Sequence, residues 1–141
     1  MVTAFRQSKG PFGLVVTGEA NAWRPALEKL VRPEWLQTLV VHDGQQLMDV
    51  VRSGQADAAV LDEDADFDLD VLSVLRMIRR MNEMLPVVVI TRHTDRRWLE
   101  NALRLTVFSV VAKPLELEQL LRQIHRMMAR MDQMMRGPEH E

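Results

Sequence analysis

Three polar residues each close a short, wholly apolar run. Asp62 follows Ala58, Ala59, Val60 and Leu61; Thr91 follows Val87, Val88, Val89 and Ile90; Lys113 follows Val110, Val111 and Ala112. Runs without polar alternation need cover on both faces, and a parallel sheet between two helix layers supplies it. In open parallel sheets, chemistry gathers beyond the carboxyl ends of the strands. A carboxylate, a hydroxyl and an ammonium delivered to one such edge make a site suited to a phosphoryl group. The equivalent position after the first run, Leu14-Val15-Val16, holds Thr17-Gly18, where that site would want acids.

Between the runs the apolar spacing turns helical. Residues 12–16 read as the first strand, and Asn21 as the cap of a helix to residue 31 with Leu27, Leu30 and Val31 inward and Pro25 in its first turn. Residues 36–41 form a second strand, and 45–52 a helix burying Leu47, Val50 and Val51 before Ser53-Gly54. Residues 57–62 form the third strand, followed by an acidic loop and a helix over 69–81 with Leu72, Leu75, Met77 and Ile78 at helical spacing. Strand 86–91, a helix from the Asp95 cap to residue 105, strand 107–111 and a last helix opened by Pro114 complete five β-α repeats. Right-handed crossovers then give an α/β, doubly wound, five-stranded parallel sheet of flavodoxin-like order 2-1-3-4-5 with helices on both faces. Residues 1–11 read as a flexible leader, 12–130 as one domain, and 131–141 as an extension of the last helix and a tail.

Composition narrows the function. With 141 residues, 47% apolar and 27% charged, the chain suits one domain with a substantial core. A net charge of -2 gives no global attraction to nucleic acid or anionic lipid. No stretch approaches the roughly 20 apolar residues of a membrane span, and residues 1–12 lack a secretory apolar core, so a cytoplasmic location is expected. The absence of Cys excludes disulfides, thiolate zinc sites and a Cys nucleophile.

The ordered motifs resemble the receiver domain of two-component response regulators. Ala56-Asp57-Ala58-Ala59-Val60-Leu61-Asp62 resembles the family's third strand with its phospho-accepting aspartate. Leu85-Pro86 through Thr91 resembles the fourth strand with its switch hydroxyl. Lys113-Pro114 with residues 115–121 resembles the family's Lys-Pro and last-helix opening, and His42-Asp43-Gly44-Gln45-Gln46-Leu47 fits the second βα turn. The resemblance spans about residues 12–130, and it departs from the family at several functional positions. Thr17-Gly18 replaces the acidic pair that holds Mg²⁺, with Glu19 the remaining acid of the usual triplet. Arg92 replaces the small residue after the switch hydroxyl, Val110 the aromatic that moves on activation, and Thr106-Val107 a Gly-Ala.

The resemblance implies a receiver that relays a signal by protein contact. Asp62 would be the phospho-acceptor, Thr91 the switch hydroxyl and Lys113 the partner of Asp62 or its phosphate. Such a domain is not an enzyme in the usual sense, at most phosphorylating itself from a phosphodonor. Phosphoryl transfer needs charge neutralisation, and Mg²⁺ wants one or two carboxylates plus waters. Glu19, Asp62 and Asp64 are the candidate ligands, and their number predicts weak Mg²⁺ binding. A metal-free pairing of Asp62 with Lys113, aided by Arg92, is expected instead. The alternative is a phosphorylation-independent pseudo-receiver serving as an interaction or dimerisation module. A flavodoxin-like ligand binder is disfavoured by the lack of Gly-rich or aromatic loops.

Partner expectations follow the same lines. A sensor histidine kinase or other signalling protein is implied by the resemblance. Arg92, Arg96, Arg97 and Arg104 lie on or beside the fourth helix, while Arg122, Arg126 and Arg130 share one face of the fifth. In receivers this region makes partner or dimer contacts, so Arg97, Arg104, Arg122 and Arg126 are interface candidates. A homodimer through this surface, or through the Met-rich stripe ending in Met134 and Met135, is expected. Few aromatics argue against nucleic acid. Asp62, Asp64, Asp66, Asp68 and Asp70 alternate as in a calcium loop, but Phe67 and Ser73 stand where Gly and Glu belong. A solvated loop whose last acids favour the next helix start fits better. His42, His93, His125 and His140 have no metal-binding spacing.

Overall fold

The computed structural model describes residues 10–18, 23–65, 67–93 and 95–136, with side chains through residue 131. Ten elements alternate: β1 (Phe12–Thr17), α1 (Arg24–Leu30), β2 (Leu36–Val41), α2 (Gly44–Arg52), β3 (Ala58–Asp62), α3 (Val71–Met81), β4 (Val87–Thr91), α4 (Arg96–Arg104), β5 (Ser109–Ala112) and α5 (Leu117–Arg136). All strand pairs are parallel, in the order β2-β1-β3-β4-β5. This is the expected doubly wound sheet.

The strand runs are apolar throughout because alternate residues serve two cores. Leu14, Val16, Val60, Val88 and Ile90 face Leu27 of α1 and Leu120, Ile124 and Met127 of α5. Val15, Ala59, Leu61, Val87 and Val89 face Leu47 and Val51 of α2 and Val74, Leu75 and Ile78 of α3. Where β1 meets the entry to β3, Gly13 is held from both sides. Its N–H donates to the buried Asp57 carboxylate at 2.8 Å, and its carbonyl accepts from the Asp57 N–H at 2.7 Å. A Cβ at Gly13 would stand 2.0 Å from the Gln55 carbonyl oxygen.

Aspartates start three helices as N-caps. Asp43 accepts from Gln46 N–H, Asp70 from Ser73 N–H and Asp95 from Trp98 N–H. Several boundaries differ from expectation. The third helix begins at Val71, because Asp70 is its cap. The inner face of α1 is Trp23, Leu27 and Val31, spaced by four, while Leu30 is 70% exposed. β5 sits later than residues 107–111, since a turn at Thr106 (φ +54) carries the chain past the end of α4. Pro114 follows a cis peptide and does not open the last helix, which starts at Leu117. The proposed Asn21 cap, Glu19, most of the leader, His140 and the Met134 and Met135 side chains lie outside the described residues. Among the described residues, no helix is long and apolar enough to cross a membrane.

Candidate functional site

The ends of β1, β3, β4 and β5 meet at one edge. The register pairs Asp62 with Ile90 and Thr91 with Ala112, so the polar residues climb by one step from strand to strand. Lys113 is fixed by its own N–H, which donates to the Thr91 carbonyl at 2.9 Å. From there its side chain, only 12% exposed, reaches back across β4. Nζ lies 2.7 Å from Asp62 Oδ1 and 2.5 Å from Asp64 Oδ2.

Asp62 Oδ1 takes a second bond from the Asp64 N–H at 2.9 Å. The backbone N–H of Asp62 donates to the Thr17 hydroxyl at 3.0 Å, and Thr17 is buried. The hydroxyl at the end of β1 thus supports the Asp62 backbone. Thr91, also buried, accepts the His93 N–H at 2.9 Å. It lies at the expected edge with its hydroxyl turned to the loop that follows.

The expected pairing of Asp62 with Lys113 is present, shared with Asp64. Arg92 serves Asp64 rather than Asp62: its Nε lies 3.0 Å from Asp64 Oδ2. Burial pulls the Lys113 ammonium down, but the hydrogen bonds and charges of Asp62 and Asp64 outweigh it and hold the group above its ordinary value. Asp64 is held below the usual carboxylate range, first by its bond to Lys113 and then by Arg92. Both directions favour the ionised pair.

Glu63 was not singled out by the sequence. Its carboxylate accepts the Arg92 N–H through Oε1, and Oε2 lies 3.3 Å from His93 Nε2. The His93 ring stacks on Trp98, centroids 4.8 Å apart and planes 9° from parallel, and its Nδ1 lies 3.3 Å from Asp95. A usable signal existed: the acidic run Asp62-Glu63-Asp64 ends one strand, and the basic pair Arg92-His93 ends its neighbour.

Of the three acids expected to hold Mg²⁺, Asp62 and Asp64 are described and Glu19 lies outside the described residues. Asp64 and Asp62 both turn to an ammonium, and the Thr17 hydroxyl is engaged by the Asp62 N–H. Among the described residues, no three acidic or histidine side chains are grouped to hold an ion. Two further loop acids are engaged elsewhere: Asp68 accepts the Gly44 N–H at the start of α2 and Asp70 caps α3, while Asp66 lies outside the described residues. The arginines named as interface candidates, Arg97, Arg104, Arg122 and Arg126, are exposed. Arg122 pairs along its helix with Glu118 at 3.1 Å, and Arg130 lies over Phe108.

The parallel five-stranded sheet of order 2-1-3-4-5 carries Asp62, Thr91 and Lys113 at or just past successive strand ends. Comparison with known proteins gives its family: the family model of the response regulator receiver domain matches residues 14–125, and the chain belongs to that family. It is similar to the DNA-binding transcriptional regulator NtrC of Proteus hauseri, 26% identical over 79% of this chain and 23% of that protein. It is also similar to the response regulator MprA of Mycobacterium avium, 27% identical over 83% of this chain and 51% of the relative. The chain therefore spans about a quarter to a half of the curated relatives it matches. In fold it resembles NtrX of Brucella abortus (TM-score 0.72, 18% identity, 93% of this chain and 30% of that one). It resembles equally a CheY-like receiver of Methanospirillum hungatei (TM-score 0.71, 10% identity, 87% and 98% covered).

Proposed function

We propose that this receiver domain is an atypical one that relays a signal by protein-protein contact, with Asp62 as its phospho-acceptor. The reading is carried by the pairing of Asp62 with the nearly buried Lys113 at 2.7 Å. A carboxylate there is already charge-compensated without a metal. An Asp62 oxygen would attack the phosphorus of a phosphohistidine or a small acyl phosphate. The bond from phosphorus to the donor nitrogen or oxygen breaks with its electron pair, leaving an aspartyl phosphate. Lys113 would shield the added charge, and Thr91 would turn its hydroxyl toward it. A sensor histidine kinase in the cytoplasm is the corresponding donor. The exposed face bearing Arg97, Arg104, Arg122 and Arg126 is the corresponding contact surface, for a partner or a second copy.

A second reading, a pseudo-receiver with no phosphorylation cycle, is favoured by one observation: Asp64 already lies 2.5 Å from Lys113. Incubation with acetyl phosphate and Mg²⁺, followed by intact mass, separates the two. The first reading expects gain of one phosphoryl group, abolished in Asp62→Asn. No gain with acetyl phosphate or with a phosphorylated histidine kinase would leave the pseudo-receiver.

A further inference from the structure

We propose that Glu63 and Asp64 act as a built-in anionic clamp: they occupy the donors that a phosphoryl group on Asp62 would need, and they must let go before it can form. The inference rests on Asp62 being the acceptor. Asp64 Oδ2 takes both Lys113 Nζ at 2.5 Å and Arg92 Nε at 3.0 Å. Glu63 takes the Arg92 N–H with one oxygen and faces the His93 ring with the other. The two consecutive carboxylates thus tie the loop after β3 to the loop after β4 and to the end of β5.

A phosphoryl group on Asp62 would bring nearly two negative charges and three acceptor oxygens. It would seek short, charge-assisted bonds from cations and backbone N–H groups. At this edge the Asp64 N–H already donates to Asp62 Oδ1, Lys113 Nζ is shared between Asp62 and Asp64, and the Arg92 guanidinium and N–H are engaged by Asp64 and Glu63. Asp62 and Asp64 share the Lys113 ammonium, and Asp64 draws on the Arg92 guanidinium as well. Added phosphate and standing carboxylates therefore compete.

The clamp also reaches α4. Glu63 contacts His93, His93 stacks on Trp98, and Asp95 both faces His93 and caps the helix at the Trp98 N–H. Holding or releasing Glu63 consequently moves the environment of the first turn of the helix that bears Arg97 and Arg104. Trp98 serves as a natural reporter of the state.

The test uses the whole chain with Glu63→Ala, at a largely buried side chain, and Asp64→Ala, at an exposed one, with folding verified by circular dichroism. Amide hydrogen exchange at Arg92, Trp98 emission and labelling of Asp62 by acetyl phosphate are measured. Exchange at Arg92 is expected to rise about tenfold or more in Glu63→Ala, since a charge-assisted bond is lost. Trp98 emission should shift with it. Labelling in Asp64→Ala should be several-fold faster than in the parent. Unchanged Arg92 exchange and Trp98 emission in Glu63→Ala overturn the clamp. Equal labelling rates in parent and Asp64→Ala overturn the competition. Faster exchange with no labelling of any variant supports the clamp while refuting Asp62 as acceptor.

Discussion

Thr106 shows how a single residue can carry strain that its neighbours hold in place. Its φ of +54 lies in the left-handed region, where a β-branched side chain crowds the backbone. Its hydroxyl bonds the Leu105 carbonyl at 2.8 Å, and Arg79 locks the turn from α3. That guanidinium donates to the carbonyls of Leu105 at 2.7 Å, Asn82 at 3.1 Å and Thr106 at 3.2 Å. Three carbonyls at the ends of two helices are a favourable place for a cation, although burial lowers the Arg79 pKa. Glycine adopts this conformation without the steric cost. Thr106→Gly is therefore expected to stabilise the fold by about 1 kcal/mol, read as a higher midpoint in urea with an unchanged slope. A lower midpoint would mean that the hydroxyl contributes more than the strain costs.

At the scale of elements, β1 and the approach to β3 come close enough to exclude a side chain. Gly13→Ala would press a methyl group into the Gln55 carbonyl, and a loss of about 3 kcal/mol, the upper end of the usual overpacking cost, is expected from chemical denaturation. The strands themselves were legible because an apolar run such as Val87–Ile90 has few other uses, and a tertiary contact does not alter its two-sided burial. Helix starts were legible where Asp95 offered a local capping bond. The start of β5 was not, because it depends on Phe108 N–H reaching the Val87 carbonyl across the sheet at 2.7 Å. Leu30 was misplaced because α1 packs through a spacing of four, and Leu30 lies three residues beyond Leu27. The same division holds at the site. Asp62 and Lys113 were legible as strand ends, whose direction the sheet dictates. The targets of Glu63 and Arg92 were not, since loop side chains point where the opposing loop's donors happen to be.

Taken as a whole, the molecule is a sheet whose working edge is cross-linked by ion pairs among residues far apart in sequence. Lys113 joins β5 to β3 through Asp62, and Asp64 extends the link to Arg92 after β4. Such a network tends to fix geometry more than it adds stability, yet removing one partner strands the others. Its pH window follows from the two shifts. Asp64 is held below its ordinary value of 3.8, so its contribution is present above that value and is lost as acid protonates the folded form. Lys113 is held above 10.5, so its contribution is present below that value and is lost as pH rises through the folded value. Between these limits the network is intact. Lys113→Met should destabilise the domain by about 1–3 kcal/mol at neutral pH, because the Asp62 carboxylate loses its ammonium partner while keeping partial burial. The deficit should shrink in acid, as Asp64, held below its ordinary value, takes up its proton and the charged network is lost. Urea midpoints of parent and variant across pH 3 to 8 measure it, and parallel curves with no neutral-pH gap would mean that the ammonium does not support the edge.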